Sequence, residues 1–461
     1  MREEHSDPCV ANEGITNGNT SNGIVPSDKP TSAWPRENKP DLLGMFPEEL
    51  EVLMKAYGEP AYRARQIFPL LHRGMAPEQM QVLPLRLRTR LREDTVYTQP
   101  AVARKLVSRI DGTVKYLLRL RDGACIESVL MRYRHGNTLC LSSQVGCRMG
   151  CRFCASTIGG KERDLAASEL LGQITAVERD SGERISNLVL MGIGEPLDNF
   201  DNVVRFLHLV NRPEGLCIGY RHISLSTCGL ADRIRDLAAQ DLPITLSVSL
   251  HASDDATRSA IMPVNRRYCL SELMSACRAY YLQTGRRISF EYTLIAGRND
   301  TPADADALSD LLHRAFAGTG APLHVNLIRV NAVAETDCRR GSRESVAAFA
   351  ERLTRAGVVA TVRRRLGADV NAACGQLRRH AMIPENTSFV PGAERQYPDT
   401  EKGGRVEAGK AEERKDVKLP VHRRRAFRSN ARPDRDADIR SQESEKNREE
   451  NDRRAENRKT E

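Results

Sequence analysis

Cys140-Leu141-Ser142-Ser143-Gln144-Val145-Gly146-Cys147-Arg148-Met149-Gly150-Cys151-Arg152-Phe153-Cys154 is the stretch on which the reading of this chain turns. It grows out of an apolar run, Thr138–Ser142, with the length and character of a buried strand. Cys147, Cys151 and Cys154 then place three thiols on one loop, separated by three and two residues, so that they can converge on a single metal centre. The spacing differs from the paired CxxC of a zinc ribbon, and no fourth cysteine or histidine follows nearby. Ferredoxin clusters take four cysteines; three leave one iron of a 4Fe–4S cluster open to an outside ligand, as a catalytic metal site requires. The competing readings are a zinc site completed by a remote residue and three unrelated buried thiols.

Toward the C-terminus, strands alternate with helices. Short apolar runs recur at Leu188–Met191, His222–Ser226, Ile244–Leu250, Ile288–Leu294, Leu323–Ile328 and Val358–Val362. Helical stretches lie between them, such as Ala166–Glu178, where Leu170, Leu171, Ile174 and Val177 share one face. This order predicts an α/β fold with a parallel sheet, open or curled into a barrel, whose chemistry gathers at the C-terminal strand ends. The cysteine loop occupies one such end, and Gly192-Ile193-Gly194-Glu195-Pro196 the next. Glycines there let backbone approach a ligand, and the carboxylate can accept from an ammonium. Ser226 ends a further strand and Ser249-Leu250-His251 another. Alone, such residues read as caps or satisfied polar groups; a shared rim makes them site candidates.

Toward the N-terminus the pattern is helical from about Asp41 to Asp94. Phe46-Pro47-Glu48-Glu49-Leu50 is a helix entry with proline in the first turn. Apolar residues recur at helical spacing over Ala61–Leu71, and Leu83–Leu91 closes the region beside Arg86, Arg88, Arg90 and Arg92. That run suits either a grip on phosphate or the solvated side of a helix. Asp111-Gly112, between two alternating runs within Lys105–Leu120, predicts a hairpin, and the strand Ile126–Met131 follows.

The ends differ in kind. Residues 385–461 carry 20 Lys/Arg and 18 Asp/Glu with almost no large apolar side chains; residues 1–40 are rich in Asn, Ser, Gly and Pro. Neither segment buries enough surface to offset its ordering entropy, so both are expected to be disordered. The ends nearly balance in charge, which leaves the net +9 of the 461-residue chain on residues 41–384. A basic folded part favours a polyanion, nucleic acid above all, although a generally basic proteome gives the same sign. Neither a signal peptide nor a membrane span is legible, so a cytoplasmic protein is expected. Twelve cysteines in such a chain point to metal or redox chemistry, not to a disulfide framework.

The CxxxCxFC spacing resembles the radical-SAM superfamily, and further motifs narrow the resemblance. Cys140 through Cys147, Met191-Gly192-Ile193-Gly194-Glu195-Pro196-Leu197, Ser249-Leu250-His251-Ala252 and Asp369-Val370-Asn371-Ala372-Ala373-Cys374-Gly375-Gln376-Leu377 are similar to the RlmN/Cfr RNA methyltransferases, nearer the RlmN branch, over about residues 45–380. The resemblance implies a partial (β/α)6 radical-SAM barrel at 136–380, an N-terminal helical RNA-binding accessory domain at 41–100 and a hairpin-and-strand connector at 101–135, with disordered termini at 1–40 and 381–461. It implies a 4Fe–4S cluster on Cys147, Cys151 and Cys154, and S-adenosylmethionine, two per turnover, bound by Gly194, Glu195, Ser226, Ser249, Leu250, His251 and Asn331. The family usually reads Pro-Trp/Val-Asn-Pro around that asparagine, whereas Arg329-Val330-Asn331-Ala332 lacks both prolines.

The implied reaction is methylation at C2 of adenosine 2503 in 23S rRNA and of adenosine 37 in tRNA. That carbon has no nucleophilic lone pair, hence the radical. Cys374 would carry the methyl group as S-methylcysteine, Glu127 would act as general base, and Cys140 would close a transient disulfide with Cys374 to release the product. The implied partners are 23S rRNA, tRNA and a flavodoxin-type reductant, for a monomer without a membrane. Read without the resemblance, Cys374 is a small buried hydrophobe, Cys140 an inert strand thiol and Glu127 a surface carboxylate. Three other functions fit parts of the pattern: a Cfr-type methyltransferase acting at C8 of the same adenosine, a metal-stabilised RNA-binding protein without catalysis, and a radical-SAM enzyme with a small substrate.

Overall fold

In the computed structural model, which describes residues 39–377 except Ala332 and Ala334, helices come first: α1 (Pro47–Ala56), α2 (Tyr62–His72) and α3 (Leu85–Asp94). Pro47 opens α1 where no backbone N–H is missed, and the Glu49 carboxylate accepts from the Phe46 N–H at 2.7 Å. The buried faces of these helices (Leu50, Met54, Ile67, Phe68, Leu71, Leu87, Leu91) belong to the same apolar core as the strands that follow. The arginine run of α3 divides: Arg90 stacks 3.9 Å over the Tyr57 ring and donates to the Tyr57 carbonyl, and Arg88 donates to the Glu78 carbonyl, while Arg86 and Arg92 stay exposed.

An antiparallel meander follows: β1 (Ala101–Val107), β2 (Val114–Arg119), β3 (Cys125–Tyr133) and β4 (Gly136–Cys140). A small ribbon, β5 (Gln144–Gly146) against β6 (Lys161–Asp164), brackets the cysteine loop, and no residue pattern announces it. Then come α4 (Ala167–Ser181), β7 (Ile185–Leu190), α5 (Phe200–Asn211), β8 (Ile223–Thr227), α6 (Ala231–Ala238), β9 (Thr245–Ser249), α7 (Asp255–Ile261), α8 (Leu270–Thr284), β10 (Ile288–Leu294), α9 (Pro302–Ala315), β11 (His324–Arg329), α10 (Arg343–Arg355) and β12 (Val359–Val362). Ten strands form one sheet in the order β1-β2-β3-β4-β7-β8-β9-β10-β11-β12, parallel from β4 onward. Six strand–helix units thus lead to β12 at the edge, the partial barrel the sequence implied. β10, paired on both sides with β9 and β11, is buried at every position: Ile288, Phe290, Tyr292 and Leu294 alternate with Ser289, Glu291 and Thr293, and the last two line the cavity described below.

After β12 the chain crosses back as a strap to the meander and the cysteine loop. The Gly367 N–H donates to the Asp111 carboxylate at 2.9 Å, the Arg109 N–H to Asp369 at 2.8 Å, and Lys115 Nζ to the Asn371 carbonyl at 3.2 Å. Farther along, the Ala155 N–H donates to the Gly375 carbonyl at 2.8 Å and the Ser156 hydroxyl to the Leu377 carbonyl at 2.9 Å. Gly367 turns at φ +60, and a Cβ there would sit 2.6 Å from the Ala372 Cβ, so the strap needs glycine. Among the described residues no helix is long and apolar enough to cross a membrane. The disorder expected of the two ends concerns residues outside the described ones, Lys39 and Pro40 apart.

Candidate active site

The cysteine loop after β5, the C-terminal ends of β7, β8, β9, β10 and β11, and the strap enclose one cavity. Cys147, Cys151 and Cys154 line it together, joined by Gly194, Glu195, Ser226, Ser249, His251, Asn331 and Cys374. Burial pushes the Cys147 thiol up to about 12 and raises Cys151 and Cys154 too; Cys154 adds to the rise of the other two, and Cys374 to that of Cys154. Coordination to iron would replace those protons. Among the described residues no three His, Cys, Asp or Glu side chains converge closely enough for a single metal ion. Three thiols each bound to a different iron of a cuboidal cluster need no such convergence. The donor set therefore suits a 4Fe–4S cluster better than a lone zinc.

Around the thiols the rim is rigid. Gly194 adopts φ +108, where a Cβ would lie 2.7 Å from Ser143 Oγ and Gln144 Cβ, so the loop after β7 seats its backbone directly on the start of β5. The Glu195 carboxylate accepts from the Leu197 N–H at 3.0 Å and the Cys228 N–H at 2.7 Å; burial raises its pKa against these bonds. His251 sits at φ +58, and its Nδ1 accepts from the Thr293 N–H at 2.9 Å, which leaves the ring proton on Nε2. Burial, then the charge of Arg258, pulls this imidazole down to about 3, so it is neutral, and its ring meets Phe153 edge-on at 4.8 Å. Asn331 donates to the Cys374 carbonyl at 2.9 Å, and its buried Oδ1 has no partner. An orphaned acceptor of that kind destabilises by about 1–3 kcal/mol, and a ligand donor in the cavity would satisfy it. Leu250 differs from the rest: it is fully buried, does not line the cavity, and spends its N–H on the Glu291 carbonyl.

Sequence reasoning missed Arg258, which on the short helix α7 looks like an ordinary surface arginine. It is fully buried and donates to the carbonyls of Leu250 at 3.0 Å, Ser249 at 3.1 Å and Cys228 at 2.8 Å. One guanidinium thereby pins the ends of β8 and β9 at the rim.

On the far side of Cys374 lies a second cavity, lined by Cys140, by Val129, Met131 and Tyr133 of β3, and by arginines. The Cys140 thiol is buried, which pushes it up to about 12; the nearby Cys374 adds to this and the Arg363 guanidinium opposes it. Arg363 in turn is held charged chiefly by Cys374, against its burial, and by Glu291 at 3.7 Å. The reading of Cys140 as a strand thiol thus gains a neighbour: two free thiols and one cation share a corner. Cys374 itself is half-exposed and lines both cavities, not a filler of the core. Glu127 is no surface carboxylate either. It is buried on β3, two positions from Val129, and its Oε1 lies 2.8 Å from Lys115 Nζ; it lines neither cavity.

Comparison with known proteins bears on this geometry. Residues 141–311 match the radical SAM superfamily. A curated relative from Clostridium acetobutylicum, named probable dual-specificity RNA methyltransferase RlmN, is 48% identical over 341 residues, covering 74% of this chain and 97% of the relative. Its namesake from Alkaliphilus oremlandii is 49% identical over 342 residues, covering 74% and 98%. Among solved structures, a radical SAM methyltransferase from Sphaerobacter thermophilus superposes with a TM-score of 0.70 at 41% identity, over 74% of this chain and 99% of that one.

Proposed function

From the premise that the chain belongs to the RlmN family of radical-SAM RNA methyltransferases, we propose that it methylates C2 of adenosine in 23S rRNA, at position 2503, and in tRNA, at position 37, through an S-methylcysteine on Cys374. The relatives' name, dual-specificity RNA methyltransferase, supports the two RNA classes. The observation that carries the carrier role is the position of Cys374 in the wall between the thiol-lined cavity and the arginine-lined one.

Bound on Cys147, Cys151 and Cys154, a 4Fe–4S cluster supplies one-electron chemistry to the sulfonium of S-adenosylmethionine. Glu195, Ser226, Ser249, His251 and Asn331 border the space such a cofactor would take, and Gly194 brings backbone to its edge. The neutral His251 offers an Nε2–H donor, and Asn331 an unspent acceptor. Cys374 would take a methyl group from one S-adenosylmethionine, with S-adenosylhomocysteine as the leaving group, and that methyl would give up a hydrogen atom to the deoxyadenosyl group of a second before its carbon bonds to C2 of the base on the other side. Glu127, held by Lys115 of the neighbouring strand β2 and two positions along β3 from the cavity residue Val129, is assigned the proton that leaves C2. The Cys140 thiolate would then attack the Cys374 sulfur while the bond from that sulfur to the transferred carbon breaks; the carbon takes up a proton to become the methyl group, the odd electron returns by the route that supplied it, and the disulfide left behind awaits reduction. Arg363 stands beside both thiols and favours the thiolate that this attack needs.

The test is peptide mass analysis of protein expressed with an intact cluster and S-adenosylmethionine. An S-methyl group on Cys374 is expected; its absence there would overturn the carrier scheme. Digestion of the methylated RNA to nucleosides then locates the new methyl group on C2 or C8.

A further inference from the structure

The second cavity has a charge pattern that chemistry at Cys374 does not itself require. Arg329, Arg340, Arg343, Arg363, Arg364 and Arg365 line it, with no aspartate or glutamate among the lining residues. Arg363 is committed to Glu291 and the two thiols. Arg329, Arg340 and Arg365 form no ion pair among the described residues. They come from three separate segments: the end of β11, the loop before α10, and the chain just past β12. Arg329 keeps a buried Nε without a partner, and Arg340 is held in place by donating its Nε to the Val330 carbonyl at 3.1 Å. Burial, followed by the charges of Arg365 and Arg329, pulls the Arg340 guanidinium down, a sign that these cations oppose one another. Glu291 offsets Arg363, and Arg329 adds to the hydrogen bonds that hold the Glu344 carboxyl below its ordinary range, but neither acid lines the cavity; the like charges that face it raise the energy of the empty cavity, and an anion relieves it.

We propose that Arg329, Arg340 and Arg365 form a phosphodiester clamp that grips the RNA backbone beside the target adenosine and sets the base against Cys374. This rests on the RNA-methyltransferase reading above. Guanidinium forks match phosphate oxygens in pairs, and three of them on separate segments suit successive phosphates of a bent strand rather than one small anion. The opposite side of the same cavity, Val129, Met131 and Tyr133 of β3, is apolar and aromatic, as a splayed-out base prefers. Arg329 also stands where the family pattern has a proline, so this arm of the clamp belongs to the chain's own sequence.

The reconstituted holoenzyme is titrated against a fluorescein-labelled RNA stem-loop with one unpaired adenosine, by anisotropy, across a salt series. Arg329→Gln, Arg340→Gln and Arg365→Gln are compared with Arg355→Gln, an equal charge change on the outer helix α10. Each clamp variant is expected to bind about ten-fold more weakly at low salt and to lower the slope of log affinity against log salt by about one. Arg355→Gln should stay within about two-fold of the unaltered protein. A variant that loses the cluster's absorbance is set aside and the clamp is judged on the others. Clamp variants that bind like Arg355→Gln while Cys374 is still S-methylated would overturn the clamp alone. Absence of S-methylation in the unaltered protein overturns the parent reading instead.

Discussion

The two cavities share part of a wall, Ile328, Asn331, Arg363 and Cys374, yet their chemistries are opposite. One gathers the three cysteines of the loop after β5 with Glu195, Glu291 and a neutral His251; the other gathers six arginines and no acid. The difference shows why a carrier on the dividing wall is useful. Thiolates, carboxylates and a metal cluster would repel a phosphate backbone, and a polyanion's counterions and water would screen a site that works by tight desolvation. On the proposed reading, Cys374 would let a methyl group pass between the two without either environment giving up its character.

The sharpest way to break that separation is Cys151→Ala. It should abolish the iron–sulfur absorbance and all turnover while leaving stem-loop affinity within about two-fold, since the arginine side is untouched. Loss of RNA binding along with the iron would show the cavities to be one functional unit. A smaller effect is expected at the shared corner. Arg363→Gln should retain the cluster but slow turnover by about ten- to a hundred-fold, by removing the cation beside two sulfurs, with Arg363→Lys intermediate. Its rate should also recover as pH rises, because Cys140 then loses the charge that opposes its high pKa; a flat pH profile would count against the role.

The smallest effect on turnover belongs outside both cavities. His72 on α2 is buried against Phe68, neither ring nitrogen has a partner, and burial lowers its pKa to about 4. Its folded pKa lies below the unfolded value of 6.5, so the stability tied to the neutral ring is complete above about pH 6.5. That stability is lost as pH falls toward 4, by up to about 3 kcal/mol. Denaturant midpoints measured at pH 7 and pH 4.5 should show this drop, and His72→Phe should flatten it. An unchanged pH dependence in that variant would show that acid lability arises elsewhere.

Much of the barrel was legible because its strands are short apolar runs with helical spacing between them. The run Ile288–Leu294 coincides with β10, and the other apolar runs match their parallel strands within a few residues. The hairpin at Asp111-Gly112 and the proline entry to α1 were equally plain, since turns and caps are chosen by the residues that make them. The ribbon of β5 and β6 was hidden: each strand has three or four residues and pairs across the cysteine loop, so neither carries a period of its own. Arg258 was hidden for another reason. Nothing in the residues around it says that its helix faces inward, and only the packed strand ends supply the carbonyls that hold it.

Glu127, Cys140 and Cys374 mark the boundary most clearly. The amino-acid order alone determined the strand–helix alternation, the loop of three closely spaced thiols and the excess of basic residues in the central part, because each is a local pattern or a sum over the chain. It took the tertiary structure to bury Glu127 beside Lys115, to turn Cys140 toward Cys374, and to cluster arginines from three distant segments in a cavity without a carboxylate. Burial and the meeting of remote residues follow from how sheet, strap and loop pack together, and no spacing along a chain encodes which side chains that packing will confront.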